Sequence, residues 1–302
     1  MQVIITGGTG LIGRALSAAL VADGAEVILL SRDPERHTGL PTGTRAERWD
    51  ARTAAGWGQL VEGADTIVNL AGENLSEGRW TAERKRAIAE SRVNAGRAVV
   101  EAVEIATRRP RVVIQASAVG YYGPHGDEEV AEDTPPGTDF LARVCVDWEA
   151  STAPVEALGV RRAVIRSGVV LSREGGALPR LILPFRIFMG ARLGSGRQWF
   201  PWIHIADEVA GIRFLMESED ARGPFNLTAP NPVTNAQLTR TLARVLGRPA
   251  FMRVPAFALR LAFGEVASAL LTGQRAVPRR LLAMGFAFRF PNLNTALRDL
   301  LG

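Results

Sequence analysis

Apart from its carboxylates, this chain of 302 residues holds few side chains suited to acid–base chemistry: two tyrosines, three histidines, one cysteine and a single lysine, Lys85. What the sequence offers instead is a backbone device. Val3-Ile4-Ile5 leads into Thr6-Gly7-Gly8-Thr9-Gly10-Leu11-Ile12-Gly13, and a helical pattern begins at Arg14-Ala15-Leu16. An apolar run, a glycine cluster and a helix start read as strand, tight turn and helix. In that arrangement Gly7 lets the chain reverse, Gly10 lets backbone approach a pyrophosphate, and Gly13 lets the helix lie close to the strand. The unpaired amides of the helix's first turn, with the positive end of its dipole, then face an anion. Gly7, Gly8, Thr9, Gly10, Leu11, Ile12 and Gly13 are therefore the expected cradle for the diphosphate of a dinucleotide.

The second strand, Glu26–Leu30, ends at Ser31-Arg32. That position meets the adenosine ribose, where an acid would accept from the 2′-hydroxyl and repel a 2′-phosphate. A hydroxyl followed by a guanidinium suits a phosphate, so Ser31 and Arg32 point to NADP(H) rather than NAD(H). The competing reading pairs Arg32 with Asp33 at the surface, or lets Asp33 serve the ribose. Asp50, after a short third strand at Ala46–Trp49, is placed either to accept from the adenine amino group or to cap a turn. Leu70, the last residue of the fourth strand, Asp65–Leu70, and Ala71, Gly72 and Glu73 after it lie at the crevice where the cofactor is expected to cross. Glu73 is also a candidate base. Arg92 sits in the helical stretch Trp80–Arg109 as a candidate for diphosphate or ribose, or as a solvated helix arginine.

The elements that position these residues alternate. A fifth strand, Val112–Gln115, runs into Ala116 and Ser117, then Tyr121-Tyr122. A helix spans Phe140–Leu158, and a sixth strand, Arg162–Ile165, leads to Ser167, Gly168, Val169 and Val170, which with Ala116 and Ser117 are the expected contacts of the cofactor's nicotinamide end. Strands alternating with helices imply an α/β, Rossmann-like, doubly wound parallel sheet. From Ser172 the pattern becomes irregular, which suggests a smaller C-terminal substrate lobe. The expected division is a cofactor domain over 1–171, also receiving 203–228, and a lobe over 172–302. A Gly- and Trp-rich loop at Gly190–Trp202 has the composition of a lid with aromatic anchors. His204 with Asp207 reads as structural, because the helix starting near Asp207 needs an N-cap.

Bulk properties narrow the class. Hydrophobic residues at 47% and charged residues at 22% fit a soluble globular protein. One cysteine, Cys145, excludes an internal disulfide framework, and scattered histidines offer no metal site. Val254–Leu271 is apolar but interrupted by Pro255, Arg260, Gly264 and Glu265, so no membrane span is expected. The first residues lack the form of a signal peptide, which makes the cytoplasm the expected compartment. The net charge of +5 is spread along the chain and interleaved with acids, unlike a nucleic-acid footprint. A small-molecule substrate is the expected partner. A homodimer is compatible with the sequence.

The strings Asn69–Asn74 (NLAGEN), Ser117–Gly123 (SAVGYYG), Gly194–His204 (GSGRQWFPWIH) and Ala229–Thr234 (APNPVT) resemble an atypical group of the extended short-chain dehydrogenases/reductases. This is the "epimerase family" of sugar-nucleotide epimerase-like proteins, and 251–297 resembles its C-terminal domain of unknown function. The resemblance covers essentially the whole chain and implies NADP(H) binding. It further implies an oxidoreductase or a nucleotide-sugar epimerase, with Arg186, Arg192 or Arg197 available for a substrate diphosphate. The superfamily places Tyr-x-x-x-Lys on the helix after the fifth strand, the tyrosine as general acid/base and the lysine lowering its pKa. Here Leu141 and Cys145 stand at those positions. Any proton must come from elsewhere: Ser117, Tyr121 and Tyr122 are the candidate catalytic residues, with Ala118 replacing Ser117 if the register shifts by one. The alternative is a non-catalytic NADP(H)-binding sensor or partner-binding module, in which the missing pair is the point.

Overall fold

The computed structural model describes residues 1–36, 39–75 and 77–302. The expected loop beginning at His37 therefore opens on two residues outside the described ones. Strand β1 (Gln2–Thr6), helix α1 (Leu11–Ala22), β2 (Glu26–Ser31), β3 (Thr44–Arg48) and β4 (Thr66–Asn69) form the first half of a sheet. Helix α2 (Ala82–Ile105), β5 (Val112–Ala118), α3 (Phe140–Ser151) and β6 (Arg161–Ser167) extend it. Short β7 (Val169–Ser172), α4 (Leu178–Arg186), β8 (Trp202–His204) and α5 (Ile205–Glu217) precede the edge strand β9 (Gly223–Leu227). The seven-stranded sheet runs β9-β6-β5-β4-β1-β2-β3, every pair parallel. The order reverses between β1 and β4, the switch point where a doubly wound sheet opens a crevice.

Strands of such a sheet are buried on both faces, and each face has its own core. Ile5, Leu16, Ile114, Ile165, Ile212 and Phe225 fill the side covered by α1 and α5. Ile4, Ile67, Val99, Val103 and Val113 fill the side covered by α2. A third core, with Leu178, Phe185, Trp202, Leu238 and Leu297, belongs to the C-terminal half. There α6 (Asn235–Leu246) starts with a Thr234/Gln237 capping box and ends at Gly247 in the left-handed conformation. Residues outside the 1–171 range join the first core: β9 is the edge of its sheet, and Leu281 and Phe286 pack there as well.

Among the boundaries that differ from expectation, three have a plain physical reason. Helix α2 stops at Ile105 because the Glu62 carboxylate accepts the amides of Thr107 and Arg108, holding them out of the helix. Helix α3 stops at Ser151, short of Leu158; Pro154 follows within a 3₁₀ turn and cannot donate to an α-helical ladder. Strand β5 continues three residues further, to Ala118, because Ala116, Ser117 and Ala118 pair with Ile165, Arg166 and Ser167 of β6.

Candidate active site

At the β1 end the site is made of backbone. Gly7 takes φ +66, and a Cβ there would stand 2.8 Å from the Leu70 carbonyl carbon, which the β1–β4 register places alongside. A Cβ on Gly8 would meet Leu29 at 2.5 Å. A Cβ on Gly13 would lie 2.6 Å from Gly8 Cα and 2.7 Å from the Gly7 carbonyl oxygen. The close approach of Gly13 is thus to the loop itself rather than to the strand. Helix α1 starts at Gly10 with no side-chain cap and no acid in its first turn. Its first amides consequently meet neither a capping oxygen nor a local carboxylate, which leaves them to an external anion. Thr9, Leu11 and Ile12 complete the turn, with Leu11 close beside Gly175 and Gly176. These residues fit a diphosphate.

Beside the cradle a buried side-chain ladder joins the strand ends. Thr6 Oγ1 donates to Asn69 Oδ1 at 2.5 Å, Asn69 Nδ2 to Gln115 Oε1 at 2.8 Å, and Gln115 Nε2 to the Ala116 carbonyl at 2.7 Å. The Ala71 amide donates to Thr6 Oγ1 at 3.3 Å. Ser31 is buried, its Oγ accepting from the Asp33 amide at 3.2 Å. The Arg32 side chain is 71% exposed, and its ion-pair partner is Glu73 at 3.5 Å rather than Asp33. Asp33 lies nearer Arg36 and Arg48, while Glu73 also accepts from Arg84 at 3.2 Å. The Asp50 carboxylate takes the turn-capping alternative. It accepts from the amides of Arg52 and Thr53 and from the Thr53 hydroxyl, bonds that outweigh its slight burial and hold its pKa below the ordinary value.

Arg92 is not a solvated helix arginine. It is buried against Gly72, donates to the carbonyls of Ile88 and Glu73, and stacks over Trp148. Burial pulls its pKa below the ordinary value, although Cys145 and Glu73 favour the charge. Arg92 reaches the wall of a cavity of about 350 Å³ between the strand ends and the C-terminal half. Ala118, Gly120, Leu141, Cys145 and Trp148 line one side; Ser167, Gly168 and Val169 the floor; Trp199, Phe200 and Leu270 the other side. Its walls are predominantly apolar. Val170 packs with the first core instead, where Ala116 also lies.

The three candidate catalytic residues fall outside this wall, and each has a physical reason. Ser117 continues β5, so its side chain turns toward α3 and donates to Glu149 Oε1 at 2.7 Å. Ala118, the register alternative, lines the cavity. Tyr122 is buried, donating to Asn226 Oδ1 at 2.6 Å and accepting from Arg166 at 3.0 Å; burial pushes its phenol up to about 12. The Tyr121 ring lies over the Arg166 guanidinium, 3.4 Å from ring centroid to carbon. Arg166 is held by two bonds to Glu149, at 2.8 and 2.9 Å, which keep its charge favoured against the cost of burial. Ser117, Tyr121 and Tyr122 thus belong to a buried Glu149–Arg166 network. Burial also pushes the Cys145 thiol up to about 11, with the Glu149 charge adding to the effect, so it is no ready nucleophile. Glu73 is tied to two arginines, and His125 lies between Glu128 Oε1 and the Tyr122 carbonyl.

His204, not Asp207, is the N-cap of α5, its Nδ1 accepting from the Ala206 amide at 3.0 Å. Asp207 accepts the amides of Arg289 and Phe290, fastening the C-terminal segment. Sequence reasoning also passed over Thr6, Asn69, Gln115, Glu149, Arg166 and Glu208. Glu149 is the one with a readable signal, since it lies one turn beyond Cys145 on the face turned to β5 and β6.

A family profile described as the NAD dependent epimerase/dehydratase family matches residues 3–228, and one for a domain of unknown function, DUF1731, matches 254–300. The chain belongs to the NAD dependent epimerase/dehydratase family. Its relatives in this family include Epimerase family protein YfhF of Bacillus subtilis, 39% identical over all of this chain and 98% of the relative. Another is the Mus musculus Epimerase family protein SDR39U1, 39% identical over 99% of both chains. The crystal structure of human epimerase family protein SDR39U1 (isoform 2) with NADPH superposes with a TM-score of 0.87, at 36% identity over 99% of each chain. Among the described residues, no helix is long and apolar enough to cross a membrane, and no cluster of His, Cys, Asp or Glu could hold a metal ion.

Proposed function

We propose that this family member binds NADP(H) across the strand ends and acts as an oxidoreductase on a small apolar carbonyl or alcohol. One observation carries the reading. The diphosphate cradle and the apolar cavity stand at successive strand ends of one sheet, so a dinucleotide resting on Gly7–Gly13 would extend toward Ser167–Val169. The NADPH-bound human relative supports the cofactor, and the exposed, loosely paired Arg32 supports the 2′-phosphate contact. When bound, the nicotinamide supplies a hydride. The chain's own residues would orient the adenosine end through Ser31 and Arg32, hold the crossing at Leu70–Glu73 and Arg92, and exclude water with the apolar walls.

A nucleotide sugar is the less favoured substrate, because Arg186, Arg192 and Arg197 are all absent from the cavity wall. About 350 Å³ of mainly apolar space is at the small end for ligand sites. The second reading, a non-catalytic NADP(H)-binding module, is favoured by Leu141 and Cys145 in the wall and by the absence of a phenol there. A cytoplasmic protein with a small-molecule partner, without nucleic acid or membrane, remains the proposed setting. Two measurements test these readings. Calorimetry with NADPH and NADH should give tighter NADPH binding; equal affinity would sink the 2′-phosphate assignment. NADPH oxidation across a panel of apolar aldehydes and ketones separates the readings, since a uniformly inert protein would leave the binding module.

A further inference from the structure

Behind the cavity floor lies a carboxylic acid that the cofactor site does not use. On β6, Ala163 and Ile165 face the core under α5, and Ser167 ends the same row. The β5–β6 register sets Ser167 opposite Ala118, both residues line the cavity, and the Ser167 hydroxyl donates to Glu208 Oε1 at 2.6 Å. Glu208 lies in the first turn of α5 and is fully buried, and its Oε2 has no hydrogen-bond partner.

The charged groups around it are engaged elsewhere. On α5, Asp207 accepts backbone amides of the C-terminal segment and Arg213 pairs with Asp23. On α1, Arg14 donates to the Gly39 carbonyl; at the end of β8, His204 pairs with Asp299. No described cation pairs with Glu208, and burial pushes its carboxyl up to about 8. An acid of that strength is mostly protonated near neutrality, yet able to release its proton.

We infer that Ser167 delivers a proton into the cavity and that Glu208 resupplies Ser167, doing the work of the tyrosine that the family's helix position lacks here. The inference rests on the hydride-transfer reading above. In a carbonyl reduction the carbon gains a hydride, the π pair moves to oxygen, and that oxygen takes the Ser167 hydroxyl proton. Ser167 Oγ takes the carboxyl proton of Glu208 in the same movement, leaving a carboxylate. A buried carboxylate without a cation is unfavourable, so the proton must return. Among the described residues Ser167 is its only hydrogen-bond neighbour, so the proton returns through that hydroxyl when product leaves and water enters. Ser167 is the catalytic residue in this scheme, and Glu208 is a positioning residue acting through it.

The test uses the full chain saturated with NADPH, and para-nitrobenzaldehyde as the carbonyl probe. Ser167→Ala and Glu208→Gln should slow single-turnover NADPH oxidation by on the order of 100-fold, and Glu208→Gln should leave NADPH affinity unchanged. Glu208→Asp should recover part of the loss, and the wild-type rate should fall as pH rises through about 8. Wild-type rates and pH profiles in both variants would overturn the relay. An infrared readout needs no turnover: the protonated-carboxyl band missing from Glu208→Gln should shift in Ser167→Ala and when para-nitrobenzyl alcohol fills the cavity. A wild-type protein inert toward the aldehyde would count against hydride transfer alone. The infrared band then decides the relay, which fails if the band ignores both the substitution and the alcohol.

Discussion

The two ends of the crevice are built from different materials. At the β1 end, Gly7, Gly8 and Gly13 leave no room for a side chain, and an uncapped helix presents bare amides. At the β5–β6 end, Ser117, Tyr122, Glu149 and Arg166 tie one another together beneath the surface. A backbone site serves whatever side chains surround it. A side-chain site depends on each of the residues that build it. Substitutions at the two ends should therefore act differently, on fit at the first and on the buried network at the second.

The largest effect should come from breaking the side-chain end. Glu149→Ala leaves the Arg166 guanidinium, only 4% exposed, without its carboxylate. Urea denaturation should show a loss of about 4 kcal/mol, while NADPH affinity per folded molecule stays unchanged. Gly13→Val does the reverse at the backbone end. Its Cβ would collide with Gly8 Cα and the Gly7 carbonyl, neither of which can move freely. About 3 kcal/mol of misfit should weaken NADPH binding by roughly 100-fold in calorimetry.

Glu208 is tested in another way, through the pH dependence of stability. Its carboxyl lies near 8 when folded, far above an unfolded glutamate, so the folded state holds a proton that the unfolded state releases. The stabilisation is fully present below the unfolded pKa and declines as pH rises to about 8, at roughly 1.4 kcal/mol per unit. Denaturation midpoints of Glu208→Gln should lack this decline; a parallel pH profile would place the acid's pKa elsewhere. Arg32→Ala is smaller: about tenfold weaker NADPH binding, roughly 1.4 kcal/mol, with NADH unaffected. Smallest is Tyr121→Phe, which keeps the ring over Arg166 and should leave NADPH oxidation unchanged. A large loss there would return the phenol to the chemistry and erase the contrast between the two ends.

The cradle was legible because its information is local. Strand, glycine spacing and helix start follow one another within thirteen residues, and the physics that demands them is steric. The alternation of later strands and helices fixed the doubly wound class for the same reason, since periodicity reports which faces are buried. Even Pro154, which ends α3 early, is a local stop signal. That His125 and Gly126, not a lysine, stand four residues beyond Tyr121 and Tyr122 could likewise be read by inspection.

Which polar groups face the cavity belongs to the tertiary structure. Three extra residues on β5 turned Ser117 toward α3 and put Ala118 at the wall. The pairing of Ser31 with Arg48 between β2 and β3 drew that distant arginine toward Asp33, leaving Arg32 to Glu73. Ser167 and Glu208 lie 41 residues apart and meet only because α5 crosses beneath the end of β6. Spacing along the chain records contacts within a turn or a strand. Side chains brought together by sheet register and helix docking leave no such trace.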